Sequence, residues 1–338
     1  MTIKTKKTGK KTASISKRKS SKSSTRRKKT KSSKRRKKSK KSKKSKKSKS
    51  SKSNNEIKKL QCGPEGNTKD FTCIRDQSIC KMKVLWNKRH VDNKILGTTT
   101  VKETWDSLRG KLQNVCNKES CWLTQKFAKK GMQSELETAF APSAPEKWKK
   151  NPTEWLSSND IMSVMKQYES KYKCFDFIGP SPIDFDTRKV YGECVWEELC
   201  HFDLQKQIEN KKTKIGIIFN LDPHYKGGSH WVSLFIDISK GTAFYFDSVG
   251  KTAPPQIKKF VSELKRQGLQ YKENSINFTY DENHPKEHQM KDTECGIYSL
   301  YFLIHLLEGT HDTDYFKTNT ISDKCVQRFR KVYFNESL

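Results

Sequence analysis

The chain is 338 residues long, with 70 Lys and Arg against 37 Asp and Glu and a formal net charge of +33. The N-terminus is charged from Lys4 onward and no long apolar segment comes after it, so neither secretion nor a membrane span is expected. Ten cysteines in such a chain point to a reducing setting, with buried thiols rather than a disulfide framework.

Residues 1–53 hold 27 Lys or Arg and no acidic residue, with serine filling much of the remainder. This segment lacks the apolar surface that would offset chain entropy, and it repels itself, so disorder is expected. It carries +27 of the net charge, leaving +6 for residues 54–338. A polycation of this density is expected to bind nucleic acid or another polyanion through counterion release, without sequence preference. No aromatic residue interleaves the basic ones, which removes base stacking as a contribution. The block Lys34-Arg35-Arg36-Lys37-Lys38 equally suits a nuclear address. Phosphorylation of the intervening serines would subtract charge and loosen polyanion binding.

Residues 54–145 read as a mainly helical extension that packs on the C-terminal domain. Trp105 to Leu112 and 122–127 are short amphipathic stretches, too few for a large core of their own. Cys62, Cys73, Cys80, Cys116 and Cys121 include no Cys-x-x-Cys pair and no matching His pair, which favours buried thiols over a structural zinc site. Ala141-Pro142-Ser143-Ala144-Pro145 interrupts the helical pattern and marks the join to that domain, residues 146–338.

In the C-terminal domain Ser158 is a candidate cap for a helix running to about 168, and 194–204 is a second helical stretch. Residues 214–220, 230–238 and 242–247 are apolar or alternating strands. Pro254-Pro255 opens a helix with Ile257, Phe260, Val261 and Leu264 on one face, ending at Gly268. A strand over 275–280 and helices at 295–308 and about 321–333 close the chain. The expected fold is α+β, a central mixed, mostly antiparallel sheet flanked by helices.

Cys295 opens the apolar run Ile297 to Leu307, which places a thiol on the first turn of a buried helix. A free thiol is mostly protonated at neutral pH, and a helix N-terminus with an imidazolium beside it favours the thiolate. His230 opens one strand and Asp247 closes the next. In the catalytic reading His230 takes the thiol proton and returns it to a leaving amine, while Asp247 holds the other ring nitrogen. The Gln289 side-chain amide and the Cys295 backbone N–H would then face the carbonyl oxygen on which charge develops. Taken singly, each residue has a duller role: a buried small hydrophobe, a satisfied strand histidine, a turn carboxylate. Jointly they are the parts of a cysteine nucleophile with its base, its orienter and an amide donor.

The order His230-Trp231, Asp247-Ser248, then Gln289 through Glu294-Cys295-Gly296 resembles the Ulp1-like and adenain-like cysteine proteases. The gaps of seventeen residues from His230 to Asp247 and six from Gln289 to Cys295 agree with the Ulp1 pattern. The family usually has Asp before the nucleophile, where this chain has Glu294. Trp155-Leu156-Ser157-Ser158-Asn159-Asp160 is similar to the family's Trp-Leu-Asn-Asp segment with two residues added. The resemblance implies that Trp155 and Trp231 bind substrate as walls of a narrow tunnel for a Gly-Gly-type tail.

Cys62-Gly63-Pro64 and Cys121-Trp122-Leu123-Thr124 are similar to the extension of Ulp1-like thiol proteases from large nucleocytoplasmic DNA viruses. That likeness implies an endopeptidase processing precursor proteins after Gly-Gly or Gly-x-Gly sites in the virion; without a viral setting, nucleus or cytoplasm is expected. Release of a ubiquitin-like modifier is the alternative with the same chemistry. Transfer of an acetyl group through a thioester uses a related His, acid and Cys set, but Gln289, Trp155 and Trp231 favour the protease. A non-enzymatic nucleic-acid packaging protein with a spent protease fold is the alternative of another class, and the intact set of four residues speaks against it. The mechanism requires no metal or organic cofactor; activation by DNA or a peptide, as in adenain-like members, is left open.

Overall fold

The computed structural model describes residues 58–67 and 69–336, and the basic tail expected over 1–53 lies outside the described residues. A five-stranded sheet runs in the order β1 (Phe175–Pro182), β2 (Lys214–Asn220), β3 (Trp231–Asp237), β4 (Thr242–Phe246) and β5 (Thr279–Glu282). The inner pairs β2–β3 and β3–β4 are antiparallel, and the outer pairs β1–β2 and β4–β5 are parallel. The fold is α+β with a mixed sheet, as expected, and its antiparallel part is confined to the three inner strands.

Strand β1 has no counterpart among the sequence expectations. Gly179, Pro180 and Pro182 interrupt its apolar pattern, and proline cannot donate to a ladder. The strand forms because it lies at the sheet edge and pairs only with β2. By contrast β3 is buried along its whole length, as its run of large apolar residues requires.

Each face of the sheet carries its own apolar layer. On one, helix α9 (Cys295–Glu308) packs with α5 (Ser158–Lys171) and α11 (Asp323–Tyr333) over Phe235, Phe244 and Phe246. Phe302 of α9 stacks on Phe246 with ring centroids 4.7 Å apart. On the other, Ile257, Phe260, Val261 and Leu264 of α8 (Pro255–Gln270) cover Val232, Leu234, Ile236 and Tyr245. Helix α9 is apolar on nearly all sides because it is enclosed on nearly all sides. Helix α5 is capped by Ser157 rather than Ser158: its side chain accepts from the Asp160 N–H, and the Asp160 carboxylate accepts from the Ser157 N–H at 2.8 Å. The 194–204 stretch is not one helix but α6 (Glu197–Cys200) and α7 (Leu204–Glu209), with Cys194 ahead of them in an antiparallel bridge to Arg188.

Upstream lie α1 (Asp76–Arg89), α2 (Val101–Leu112), α3 (Glu119–Thr124) and α4 (Gln133–Thr138), while α10 (Thr313–Thr318) joins α9 to α11. Ile79, Met82 and Trp86 of α1, Trp105, Leu108 and Leu112 of α2, and Trp122 of α3 form a third apolar cluster. Asn335, near the C-terminus, crosses to this part of the chain: its amide accepts from Gln61 N–H at 2.7 Å and donates to the Gln61 and Ala141 carbonyls. Gln167 of α5 donates likewise to the Glu137 and Phe140 carbonyls.

The cysteines correct the sequence expectation. Cys62–Cys73, Cys116–Cys121 and Cys194–Cys200 are disulfide-bonded, and Cys80 is an exposed thiol rather than a buried one. Zinc spacings and the expected redox setting do not decide pairing. What decides it is Cα approach, here 5.1 to 6.2 Å across loops that separate the partners by only 5 to 11 positions.

Candidate active site

Antiparallel pairing of β3 with β4 matches Ser233 to Phe246, which sets the start of β3 beside the end of β4. His230 immediately precedes β3 and Asp247 comes immediately after β4, so the two side chains meet at one end of the sheet. The His230 Nε2 lies 2.7 Å from Asp247 Oδ1. The Cys295 thiol is the other group that acts on the His230 ring. Cys295 is buried on the first turn of α9, whose apolar flank holds it beneath the sheet. The structure thus brings together three of the residues singled out in the sequence.

Burial works against a charged imidazole at His230, but the bond to Asp247 and the neighbouring Cys295 outweigh it, and its pKa is raised to about 9. A second histidine nearby behaves in the opposite way. His288 is fully buried with Nε2 at 3.0 Å from the Phe316 carbonyl, while Nδ1 accepts the Ile321 N–H at 3.2 Å. With no carboxylate beside it, burial lowers its pKa to about 4, and it stays neutral.

Asp247 is itself held by a residue the sequence did not flag. The Asn283 side chain accepts the Asp247 N–H and donates to the Asp247 carbonyl, each at 2.8 Å. The Asp247 Oδ1 also accepts the Val249 N–H at 3.0 Å. Asn283 is buried and stands six residues before Gln289 in a loop, with no periodicity to mark it.

Gln289 lies against the same turn. Its backbone N–H donates to the Ser248 carbonyl at 2.8 Å, and its Oε1 accepts from the Ser248 hydroxyl at 2.7 Å. Its Nε2 donates to the Lys291 carbonyl. Ser248 therefore fixes which way the Gln289 amide faces, leaving one N–H of that group beyond the one given to Lys291.

Glu294, the residue before Cys295, does not cap α9 with its side chain. Its fully buried carboxylate pairs with Arg330 of α11 at 2.8 Å and accepts from Gln327 at 3.1 Å. Arg330 in turn donates to the carbonyls of Glu154, Thr153 and Thr293 and stacks over Trp148 at 4.4 Å. One guanidinium thereby ties the turn before Cys295 to the segment that leads into Trp155. The signal in the sequence was the acid itself, whose partner 36 residues on carries no motif.

Trp155 is 39% exposed and Trp231 is buried, with its indole N–H donating to the Leu156 carbonyl at 3.1 Å. Both line a groove of about 710 Å³ whose other walls include Pro180, Trp196, Gly227 and Gly228. Gly228 has φ of +96°, and a Cβ there would meet the Asn220 amide at 2.7 Å, so this wall requires glycine. Gly296, next to Cys295, is crowded too: a Cβ would press on the Leu156 and Trp231 side chains at 3.1 to 3.2 Å. Its absence lets the first turn of α9 sit directly beneath the groove.

Residues 160–337 match the Ulp1 protease family, C-terminal catalytic domain. The chain belongs to the Ulp1 cysteine protease family. It is 28% identical over 293 residues to a protein of Acanthamoeba polyphaga mimivirus that bears a thiol protease name, spanning 81% of this chain and 92% of that one. It is also 28% identical over 267 residues to a cysteine protease of African swine fever virus, spanning 72% and 93% of the two chains. The crystal structure of the protease of that virus superposes with a TM-score of 0.57 at 22% identity, over 81% of this chain and 95% of that one, which shows a shared fold. Among the described residues no helix is long and apolar enough to cross a membrane.

Proposed function

We propose that this protease acts as a cysteine endopeptidase through His230, Asp247 and Cys295, with Gln289 and the Cys295 backbone N–H as donors to the oxyanion. The observation that carries the reading is the His230 ring bonded to the Asp247 carboxylate at 2.7 Å, with the Cys295 thiol of a helix N-terminus acting on the same ring. Nε2 is committed to Asp247, which leaves Nδ1 to take the thiol proton. The sulfur then attacks the substrate carbonyl, and the donors stabilise the negative charge that develops on its oxygen. His230 passes its proton to the leaving amine, and water, activated by the same ring, hydrolyses the thioester.

Trp155 and Trp231 serve in this reading as the walls that grip the substrate. A groove walled by Trp155 and Trp231, with glycine required at Gly228, suits a slim extended segment of Gly-Gly or Gly-x-Gly type, from a viral precursor in a virion. A second reading rests on the same groove: relatives from African swine fever virus isolates are named SUMO-1 cysteine protease, and release of a ubiquitin-like modifier uses the same chemistry on an isopeptide bond. Residues 1–53, with 27 cationic side chains, would hold the enzyme on nucleic acid in a salt-dependent way. No metal or organic cofactor enters these steps, and DNA or a peptide would act as an activator only.

The test is turnover of internally quenched peptides carrying Gly-Gly or Gly-x-Gly, with and without DNA, beside a ubiquitin-like precursor. The endopeptidase reading expects peptide cleavage after the second glycine, lost in Cys295→Ala and His230→Ala. Cleavage of the modifier precursor alone would select the second reading, and cleavage that survives Cys295→Ala would remove both.

A further inference from the structure

The 186–201 segment carries a group of side chains for which the reaction at Cys295 has no use. Both sulfurs of Cys194 and Cys200 and a ring nitrogen of His201 lie within 4.8 Å of one another. Cys194 is buried and stands at the base of a hairpin closed by its bridge to Arg188, and Cys200 ends α6. Between them Glu197 does two things with one carboxylate. Its Oε1 accepts the Cys194 N–H at 2.6 Å, and its Oε2 lies 2.7 Å from His201 Nδ1.

A disulfide needs neither an imidazole nor a carboxylate beside it. A metal has a use for both: a ligating histidine typically gives its second ring nitrogen to a carboxylate, carbonyl or water, which fixes the tautomer and aims the ring. Two thiolates and one imidazole are the donor set of a tetrahedral zinc site, and oxygen-seeking cations such as magnesium have no claim on it. The side chains of His201 and Glu197 are about half exposed, so an ion can reach them.

We propose that Cys194, Cys200 and His201 form a zinc site when the Cys194–Cys200 disulfide is reduced, with Glu197 orienting the imidazole. In the reduction the S–S bond takes two electrons and two protons from a dithiol, which leaves as its own disulfide. Zinc then displaces the two thiol protons to solvent and binds both thiolates and the imidazole, with water in the fourth position. The same cross-link, as disulfide or as metal, braces one wall of the groove, since Lys189, Val195 and Trp196 of this segment line it. The site stands independently of any reading of the substrate.

The experiment takes the full chain, reduced with a dithiol and desalted without air, and titrates it with zinc against a chromophoric chelator. Wild type, Cys194→Ser/Cys200→Ser and His201→Ala are compared, so that zinc bound by other thiols appears equally in all three. The reduced wild type should bind one zinc more than the double variant, and His201→Ala should weaken that zinc about tenfold or more. Oxidised wild type should lose that zinc, and cobalt in place of zinc should show an added thiolate-to-metal absorption, beyond that of the double variant, only where both cysteines are present and reduced. Equal binding by wild type and the double variant overturns the proposal. So does unchanged affinity in His201→Ala, a half-exposed position whose replacement does not disturb the core.

Discussion

Loss of the Arg330 guanidinium would strand a buried carboxylate. Arg330 is 6% exposed as a side chain, and the Glu294 carboxylate it pairs with is wholly buried at 2.8 Å. Arg330→Met keeps an unbranched apolar stem but removes the charge and the guanidinium that lies over Trp148, leaving Glu294 with the Gln327 amide and the Thr293 hydroxyl. The carbonyls of Thr153, Glu154 and Thr293 lose their guanidinium donor at the same time. Breaking a buried pair by removing one partner costs about 3–5 kcal/mol, a large share of the roughly 5–15 kcal/mol that holds a typical fold. With a urea slope of about 3 kcal/mol/M, the midpoint should fall by about 1 M or more. The companion variant Glu294→Gln/Arg330→Met removes the stranded charge and should recover at least about half of the loss. Equilibrium urea unfolding at neutral pH reads both. An Arg330→Met midpoint equal to wild type, or a double variant as unstable as the two single variants summed, would refute the reasoning.

Three further outcomes rest on the same geometry. Because His230 is raised to about 9 by Asp247 and Cys295 against the effect of burial, kcat/KM should hold its alkaline limb near pH 9. Asp247→Asn should move that limb to lower pH and cut the rate about 10²- to 10⁴-fold, read from pH–rate profiles. Gln289→Ala should lower kcat about 10²- to 10³-fold with little change in KM, whereas Ser248→Ala, which only frees the amide to turn, should cost less; steady-state kinetics on one peptide separates them. His288 is held neutral by burial, with its pKa lowered to about 4. The unfolded chain therefore binds the extra proton first, and stability should be lost as pH falls from about 6.5 towards 4, by on the order of 3 kcal/mol from this group. Denaturation midpoints against pH should show that slope reduced in His288→Gln.

Much of this is legible in the sequence. Strand β2 and helix α9 fall where the apolar runs place them, because an element enclosed on all sides must be apolar along its length. His230, Asp247 and Cys295 can be singled out because each sits at the end of an expected element, where side chains converge. The features that stay hidden depend on distance in sequence rather than pattern. Strand β1 reads as a turn through its glycine and prolines, and only the β2 edge makes it a strand. Asn283, Ser248 and Arg330 act by bonding to groups 36 to 177 positions away, and nothing local announces that. The disulfides escape the sequence because spacing rules for zinc and expectations about redox setting are silent on which Cα atoms approach.

Everything proposed for the reaction depends on Cys295 being the nucleophile and on His230 activating it. Mass spectrometry of the intact protein after brief exposure to a Gly-Gly peptide bearing a C-terminal electrophile tests both, with Cys80, Cys174 and Cys325 as internal controls. A single adduct is expected, mapped to Cys295, absent in Cys295→Ala and formed far more slowly in His230→Ala. Labelling spread over the control thiols, or an adduct at Cys295 that forms as fast without His230, would overturn the assignment.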